Sequence, residues 1–439
     1  MNEAEGLIAG SPYVGYAYSY PHKTAYRPLV RPVPLGSLWS AESLSALFLY
    51  IHVPFCGMRC GFCNLFTKAK PDVSLIRSYL EAVARQAGRV RESLPVASFA
   101  RFAIGGGTPT YLDVAGLESI LDIAETTMGA DLRRIGGSVE VAPGTVTVEK
   151  LALLRDRGID RISIGVESFD EAETAAVYRP QAAETVEHAL GLIRSAGFPT
   201  LNLDLIYGLP GQSVESWLGS VRKALRYRPE ELFLYPLYVR PLTGLGKSRR
   251  DWDDLRLTCY REARSLLIGE GYAQVSMRMF RAPHAPEQSG PAYCCQDDGM
   301  VGLGCGARSY TRGLHHASEY AVGARGVAEI LADYVARSFD DFGAADFGFQ
   351  LGPEEQRRRF LIQSLLTHDG LRFAAYTRRF GTDASDDFPE LEDCCRLGLA
   401  ASSQGGLALT DPGLERSDAI GPWLYSREVR ARMEDYSWR

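Results

Sequence analysis

The stretch Leu47-Phe-Leu-Tyr50-Ile-His52-Val-Pro-Phe-Cys56-Gly-Met-Arg-Cys60-Gly-Phe-Cys63 decides the fold. Its first seven residues are mostly apolar and read as a buried strand closed by Pro54. Cys56, Cys60 and Cys63 follow at once in a C-x3-C-x2-C run, on a loop of the kind that carries the active site of a βα barrel. Thiolates are the usual ligands of iron-sulfur clusters, and three of them on a four-iron cube leave one iron open. At an open iron S-adenosylmethionine (SAM) can chelate through its amino and carboxylate groups and accept an electron into its sulfonium. The same residues also admit a structural zinc site or three buried thiols. Zinc in a structural site takes four protein ligands, and the nearby His52 falls within the strand.

Working outward, short β-rich runs alternate with longer helical patterns, the rhythm of βα units around a parallel sheet. Six strands are expected: residues 47–53, 99–105, 137–142, 161–166, 200–207 and 231–238. Segments 74–92 and 182–196 repeat apolar residues at helical spacing. Six units predict an α/β fold with an open, partial (β/α)6 barrel over residues 47–247. Ahead of it, residues 1–46 carry the run Tyr13-Val-Gly-Tyr16-Ala-Tyr18-Ser-Tyr20-Pro-His22-Lys23-Thr-Ala-Tyr26-Arg27 and a Pro-rich stretch. These read as an arm wrapped over the outside of the barrel. Residues 248–349, with the Gly-rich segment Gly299–Gly306, read as a less regular extension that shapes a pocket. Residues 350–439 read as a separate small domain of helices with a short β-like end.

The 439 residues are 46% hydrophobic and 23% charged, the composition of a globular enzyme. A net charge of -6 lacks the basic excess of a nucleic-acid binder. No run approaches the roughly 18 apolar residues of a membrane span, and the acidic start Asn2-Glu3-Ala4-Glu5 is unlike a secretory leader, so a cytoplasmic location is expected. There nine cysteines do not form a disulfide framework. Beyond the triad, Cys259, Cys294, Cys295, Cys305, Cys394 and Cys395 show no metal-binding spacing and read as buried or incidental thiols, with Cys294 or Cys295 as outside candidates for the substrate region.

Other strand ends carry polar residues. Gly105-Gly106-Gly107-Thr108-Pro109 after the second strand lets backbone approach a ligand closely. Period-2 spacing puts Ser138 with Glu140, Ser163 and Gly165 with Glu167, and Asn202 with Asp204, each set on one face. Leu201, Leu203 and Leu205 take the opposite face and leave Asp204 in the lumen. Buried carboxylates need cations or donors, which a SAM amino group, its ribose hydroxyls or Arg179 would supply. Salt bridges within an empty lumen are the plainer reading.

Tyr50-Ile-His-Val-Pro-Phe-Cys56, the triad, Gly105-Gly-Gly-Thr-Pro-Thr-Tyr-Leu112, Ile162-Ser-Ile-Gly-Val-Glu-Ser-Phe169, Asn202-Leu-Asp-Leu-Ile-Tyr-Gly-Leu-Pro210 and Leu409-Thr-Asp-Pro-Gly-Leu-Glu-Arg-Ser-Asp418 together resemble the HemN family of radical SAM proteins. The family holds oxygen-independent coproporphyrinogen III oxidases, HemW-type haem chaperones and class C radical SAM methyltransferases. The resemblance implies a HemN-type C-terminal domain, a [4Fe-4S] cluster on Cys56, Cys60 and Cys63, and two SAM molecules. By position, the cluster-bound SAM would meet Tyr50, Gly106, Glu140, Tyr238 and Arg308. The second would meet Phe62, Gly107, Thr108, Glu167, Arg179 and Asp204. Two positions depart from the oxidases, which carry Gln at Glu167 and a further Cys at Leu65. Those departures favour a class C enzyme. It would transfer a SAM-derived methyl or methylene group to an sp2 carbon of a natural-product intermediate, by C-methylation or cyclopropanation, with Glu167 and Asp204 holding the second SAM. Porphyrinogen decarboxylation and haem delivery are the alternatives. The implied partners are a small-molecule substrate and a reductant such as flavodoxin or ferredoxin, with neither nucleic acid nor membrane. Tyr20, His22, Tyr235, Arg240, Arg278 and His315 are polar candidates for the substrate pocket.

Overall fold

The computed structural model describes residues 4–247, 255–287 and 295–439; Cys294 and the 247/248 boundary border or fall outside them. Six parallel strands, Leu47–Val53, Phe99–Gly106, Ser138–Val141, Arg161–Glu167, Thr200–Tyr207 and Glu231–Pro236, lie side by side in chain order. Leu201, Leu203 and Leu205 are fully buried, as the alternation requires, and Leu47, Leu49, Ile51 and Val53 do the same on the first strand. Parallel neighbours need crossovers that cover the sheet. The longest is Val73–Ser93, whose buried Tyr79, Ala82, Val83, Ala87 and Val90 recur at helical spacing. These residues form the α/β radical SAM fold.

The sheet continues past the barrel on both sides to thirteen strands. Met300–Leu303 adds in parallel to Leu47–Val53, and Arg308–Tyr310, Leu314–Ala317, Ala344–Gln350 and Arg27–Pro34 follow antiparallel. On the other side Met279–Arg281 pairs antiparallel with Glu231–Pro236. The glycine-rich segment is therefore partly strand. Glycine's poor strand propensity is overridden because a Cβ at Gly302 would stand 2.2 Å from the Arg308 carbonyl oxygen.

The N-terminal arm differs from the expected outer wrap. Arg27–Pro34 is the sheet's edge strand, the position that tolerates prolines. Leu7, Ala17, Tyr20, Ala25 and Tyr26 sit in a hydrophobic core with Phe349, Leu361, Ile362, Leu365, Tyr376, Leu414, Ile420 and Val429. The C-terminal region, a small sheet of Leu371–Arg372, Ala400–Ser402 and Gly406–Leu409 beneath the helix Pro353–Leu365, thus shares its core with the arm. The polarity of the tyrosine run hid this, since each ring buries while its hydroxyl finds a partner. Among the described residues no helix is long and apolar enough to cross a membrane.

Candidate active site

The three thiols stand on the loop that leaves the first barrel strand. Cys60 is buried and Cys56 and Cys63 are half-buried. Cys56 Sγ lies 3.5 Å from Thr108 Oγ1, Cys63 Sγ 3.9 Å from Thr67 Oγ1, and Arg179 Nη1 donates to Cys60 Sγ at 3.3 Å. Burial pushes the Cys56 thiol up to about 12 and raises Cys60, against the pull of Arg179. Both therefore need a metal's positive charge to ionise. Among the described residues no three His, Cys, Asp or Glu side chains converge on one metal ion. Thiolates on a four-iron cube each take a separate iron and need no such convergence.

The glycine ledge closes over this loop. Gly107 donates to the Val53 carbonyl at 2.8 Å and Thr108 to the Phe55 carbonyl at 2.8 Å. A Cβ on Gly107 would meet the Phe55 oxygen at 2.6 Å and Cys56 Sγ at 3.0 Å, and Gly106, at φ +119°, leaves room for the His52 ring. His52 is a brace. Its Nε2 lies 3.2 Å from the Phe66 carbonyl, which only accepts, so Nε2 carries the proton and Nδ1 accepts from the Tyr50 hydroxyl at 3.1 Å. Burial holds the ring down to about 4, hence neutral.

The three barrel acids face the lumen. Glu140 accepts from Gly106 N–H at 3.0 Å, and burial pushes it up to about 7. Asp204 accepts from Asn202 Nδ2 at 2.8 Å and Ser163 Oγ at 3.2 Å, and burial raises it as well. Glu167 sits where the pairing to the next strand slips a register, with φ +63°, a backbone region that side chains other than glycine enter at a cost. The bulge re-aims its carboxylate inward, to 3.6 Å from Arg179 Nη2. Burial, against the pull of Arg179, raises it to about 7. Arg179 Nη2 itself donates to the Gly165 carbonyl at 2.6 Å, while its buried Nε and the buried Asn202 Oδ1 have no partner. An acid-lined lumen with one spare donor and one spare acceptor fits a cationic, hydroxyl-bearing ligand such as SAM. Asp204 is met by Asn202 and Ser163, not by Arg179 as one expected option had it.

The remaining expected residues divide. Phe62 packs against Val177, Ile206, Leu209, Leu237 and Leu245 beside the thiol loop. The Tyr238 hydroxyl donates to Asp418 of the C-terminal region. Arg308 stands apart from the acids, with Nη1 on Ser19 Oγ at 3.1 Å. Of the pocket candidates, Tyr20 is fully buried with its hydroxyl on Glu355, and His315 is fully buried on Arg359 Nη1 at 2.9 Å, so both are structural. Glu140, Asp204, Tyr50, Tyr235, Tyr238, His22, Lys23 and Arg308 lie deep in the fold yet keep accessible surface, and therefore line an internal chamber. Tyr16, 43% exposed, stands in it as well. The sequence reading singled out neither Lys23 nor Tyr16, although both lie in the tyrosine run, which was assigned to the exterior. Cys259, Cys305 and Cys394 are buried away from the triad.

Residues 50–224 match the radical SAM superfamily and residues 351–415 the HemN C-terminal domain. Heme chaperone HemW of Escherichia coli (strain K12) is 31% identical over 276 residues, covering 60% of this chain and 70% of that protein. The chain belongs to the HemN-like radical SAM family. Like other members of this HemN-like family, it is a radical SAM enzyme that uses a [4Fe-4S] cluster and SAM. The oxygen-independent coproporphyrinogen III oxidase of Paracoccus denitrificans (strain Pd 1222) is 28% identical over 420 residues, 88% of this chain and 90% of that one. The solved structure of coproporphyrinogen III oxidase from Escherichia coli superposes with a TM-score of 0.80 at 22% identity, covering 93% of this chain and 96% of that one. These HemN-like relatives favour the oxidase and chaperone alternatives over the methyl transfer that the departures at Leu65 and Glu167 led the sequence reading to expect.

Proposed function

We propose that the protein is a hydrogen-abstracting radical SAM oxidase, acting on a small molecule held in the chamber between the barrel acids and the N-terminal arm. The observation that carries this is the meeting of the thiol loop, the glycine ledge and Glu140, Glu167 and Asp204 at one end of the barrel, in a chain matching an oxidase over nearly its whole length. Cys56, Cys60 and Cys63 would hold the cluster, which when bound supplies the electron that splits SAM to methionine and a 5'-deoxyadenosyl radical. Glu140 and Asp204 would hold cationic and hydroxyl groups of SAM, and the Gly106 and Gly107 backbone would let it approach the cluster. The buried walls exclude water, which protects a radical from side reactions.

A second reading, methyl or methylene transfer from a second SAM, draws on Glu167. Its strained backbone and its place beside Arg179 and Asp204 give the lumen a third acid, enough to hold two cationic ligands. Leu65 also stands where the oxidases carry a cysteine. Anaerobic reaction of reduced holoenzyme with methyl-deuterated SAM separates the two. The oxidase reading expects unlabelled 5'-deoxyadenosine and product, whereas deuterium in both would replace it with methyl transfer. A holoenzyme that makes no 5'-deoxyadenosine refutes both.

A further inference from the structure

Across the chamber from the acids the charge reverses. Lys23 lies with its Nζ 3.8 Å from the centroid of the Tyr320 ring and donates to the Asn64 carbonyl at 3.3 Å, which leaves donors to spare. Arg308 uses one donor on Ser19 and otherwise faces the rings of Tyr16, Tyr26, Tyr50 and Tyr310. The Arg240 guanidinium lies 4.8 Å from the Tyr238 ring. The three cations stand within electrostatic range of one another and of His22. Among the described residues none of them forms an ion pair with a carboxylate. The nearest acid, Asp418, is already engaged by Arg278 and the Tyr238 hydroxyl.

Like charges gathered inside a protein without a counter-charge repel and lose hydration. Here they share the chamber with aromatic faces: Tyr16 and Tyr18, centroids 5.6 Å apart, and Tyr235, stacked with Phe233 at 5.9 Å. Tyr235 and Tyr50 connect the two ends, each within electrostatic range of Glu140. A cation such as the sulfonium is drawn to the acidic end, and an anion to the opposite end.

We infer that Lys23, Arg240 and Arg308, with Tyr16 beside them, form a receptor for the carboxylate of a flat, anionic substrate, so that the N-terminal arm is a wall of the active chamber. The inference rests on the chamber being the site of the radical reaction. Arg308 thereby belongs to the substrate's anion rather than to the cluster-bound SAM. Charged hydrogen bonds in such a setting give about ten-fold or more in affinity.

The test uses cluster-loaded, SAM-bound protein kept anaerobic, with 1-pyrenecarboxylate and neutral 1-pyrenemethanol as fluorescent probes of equal shape. Wild type is expected to bind the carboxylate at least about ten-fold more tightly than the alcohol. A Lys23→Met/Arg308→Met variant that retains its cluster absorbance should lose that preference, and Lys23→Arg should keep it. Equal binding of the two probes to wild type, or a preference that survives in the double variant, overturns the receptor. If the double variant loses its cluster, Arg308→Met and Arg240→Gln singly carry the same comparison. Formation of 5'-deoxyadenosine by wild type alone is measured in parallel. Its absence refutes the proposed function while leaving the charge preference to stand or fall by itself.

Discussion

Replacing Glu167 by Gln should make the protein's stability less dependent on pH, by an amount the chamber sets. Burial lifts this carboxyl from 4.5 to about 7, with Arg179 offsetting part of the effect. A raised carboxyl prefers its neutral form in the fold. The stability it contributes is complete below 4.5 and is lost as pH rises through 7. The full loss is about 3 kcal/mol, from about 1.4 kcal/mol for each tenfold change in the acid dissociation constant. Between about pH 6 and about pH 8 the linkage relation gives about 1.3 kcal/mol of it. Glutamine is neutral throughout, so the advantage of Glu167→Gln over wild type should widen by about 1 kcal/mol across that range. The comparison cancels Glu140, Asp204 and Lys23, which titrate alike in both proteins. Paired urea unfolding curves on iron-free, SAM-free protein under reducing conditions measure it. Saturating SAM should narrow the gap at the higher pH, because a cation in the lumen favours the ionised acid. A gap that is constant with pH, or that shrinks as pH rises, refutes the account of Glu167 as a desolvated lumen acid.

Other outcomes follow from the same geometry. Cys56→Ala should lose the cluster's visible absorbance and 5'-deoxyadenosine formation together, and full iron content in that variant would remove the thiol from the ligand set. Gly107→Ala should fold with an unchanged far-ultraviolet circular dichroism spectrum yet hold less iron and sulfide, since its Cβ would press on the Phe55 carbonyl and on Cys56 Sγ; native iron content would show that the ledge yields. Asp418→Asn would leave Arg278, 2% exposed, without its counter-charge. That should cost about 3–5 kcal/mol in urea unfolding, and a loss below about 1 kcal/mol would mean that water reaches the pair.

What the sequence reveals and what it hides separate along physical lines. Alternation is local, so Leu201, Leu203 and Leu205 against Asn202 and Asp204 place an acid in the lumen without any structure. The strand–triad junction is equally local. Glu167 obeys the same alternation, but the bulge that turns it inward depends on pairing with Thr200–Tyr207, which no single strand reveals. Asp418 meets Arg278 and Tyr238 across 140 and 180 residues of chain, contacts that composition and periodicity do not carry. The tyrosine run misled because a polar, proline-flanked segment reads as surface. Its burial is offset by hydroxyl partners, Glu355 for Tyr20 among them, supplied from the far end of the chain. The choice among activities within the family rests on side chains of the chamber, where the strand pattern is silent.

The core shared by residues 7–26 and 349–429 also orders events during synthesis. The barrel strands are finished at Pro236, but the arm has nothing to pack against until the ribosome has made the helices nearly two hundred residues later. At translation rates of about 5–20 residues per second, that leaves the thiol loop uncovered for roughly ten seconds or more. The nascent chain thus offers its cysteines to an iron-sulfur donor through an open face that the finished protein closes.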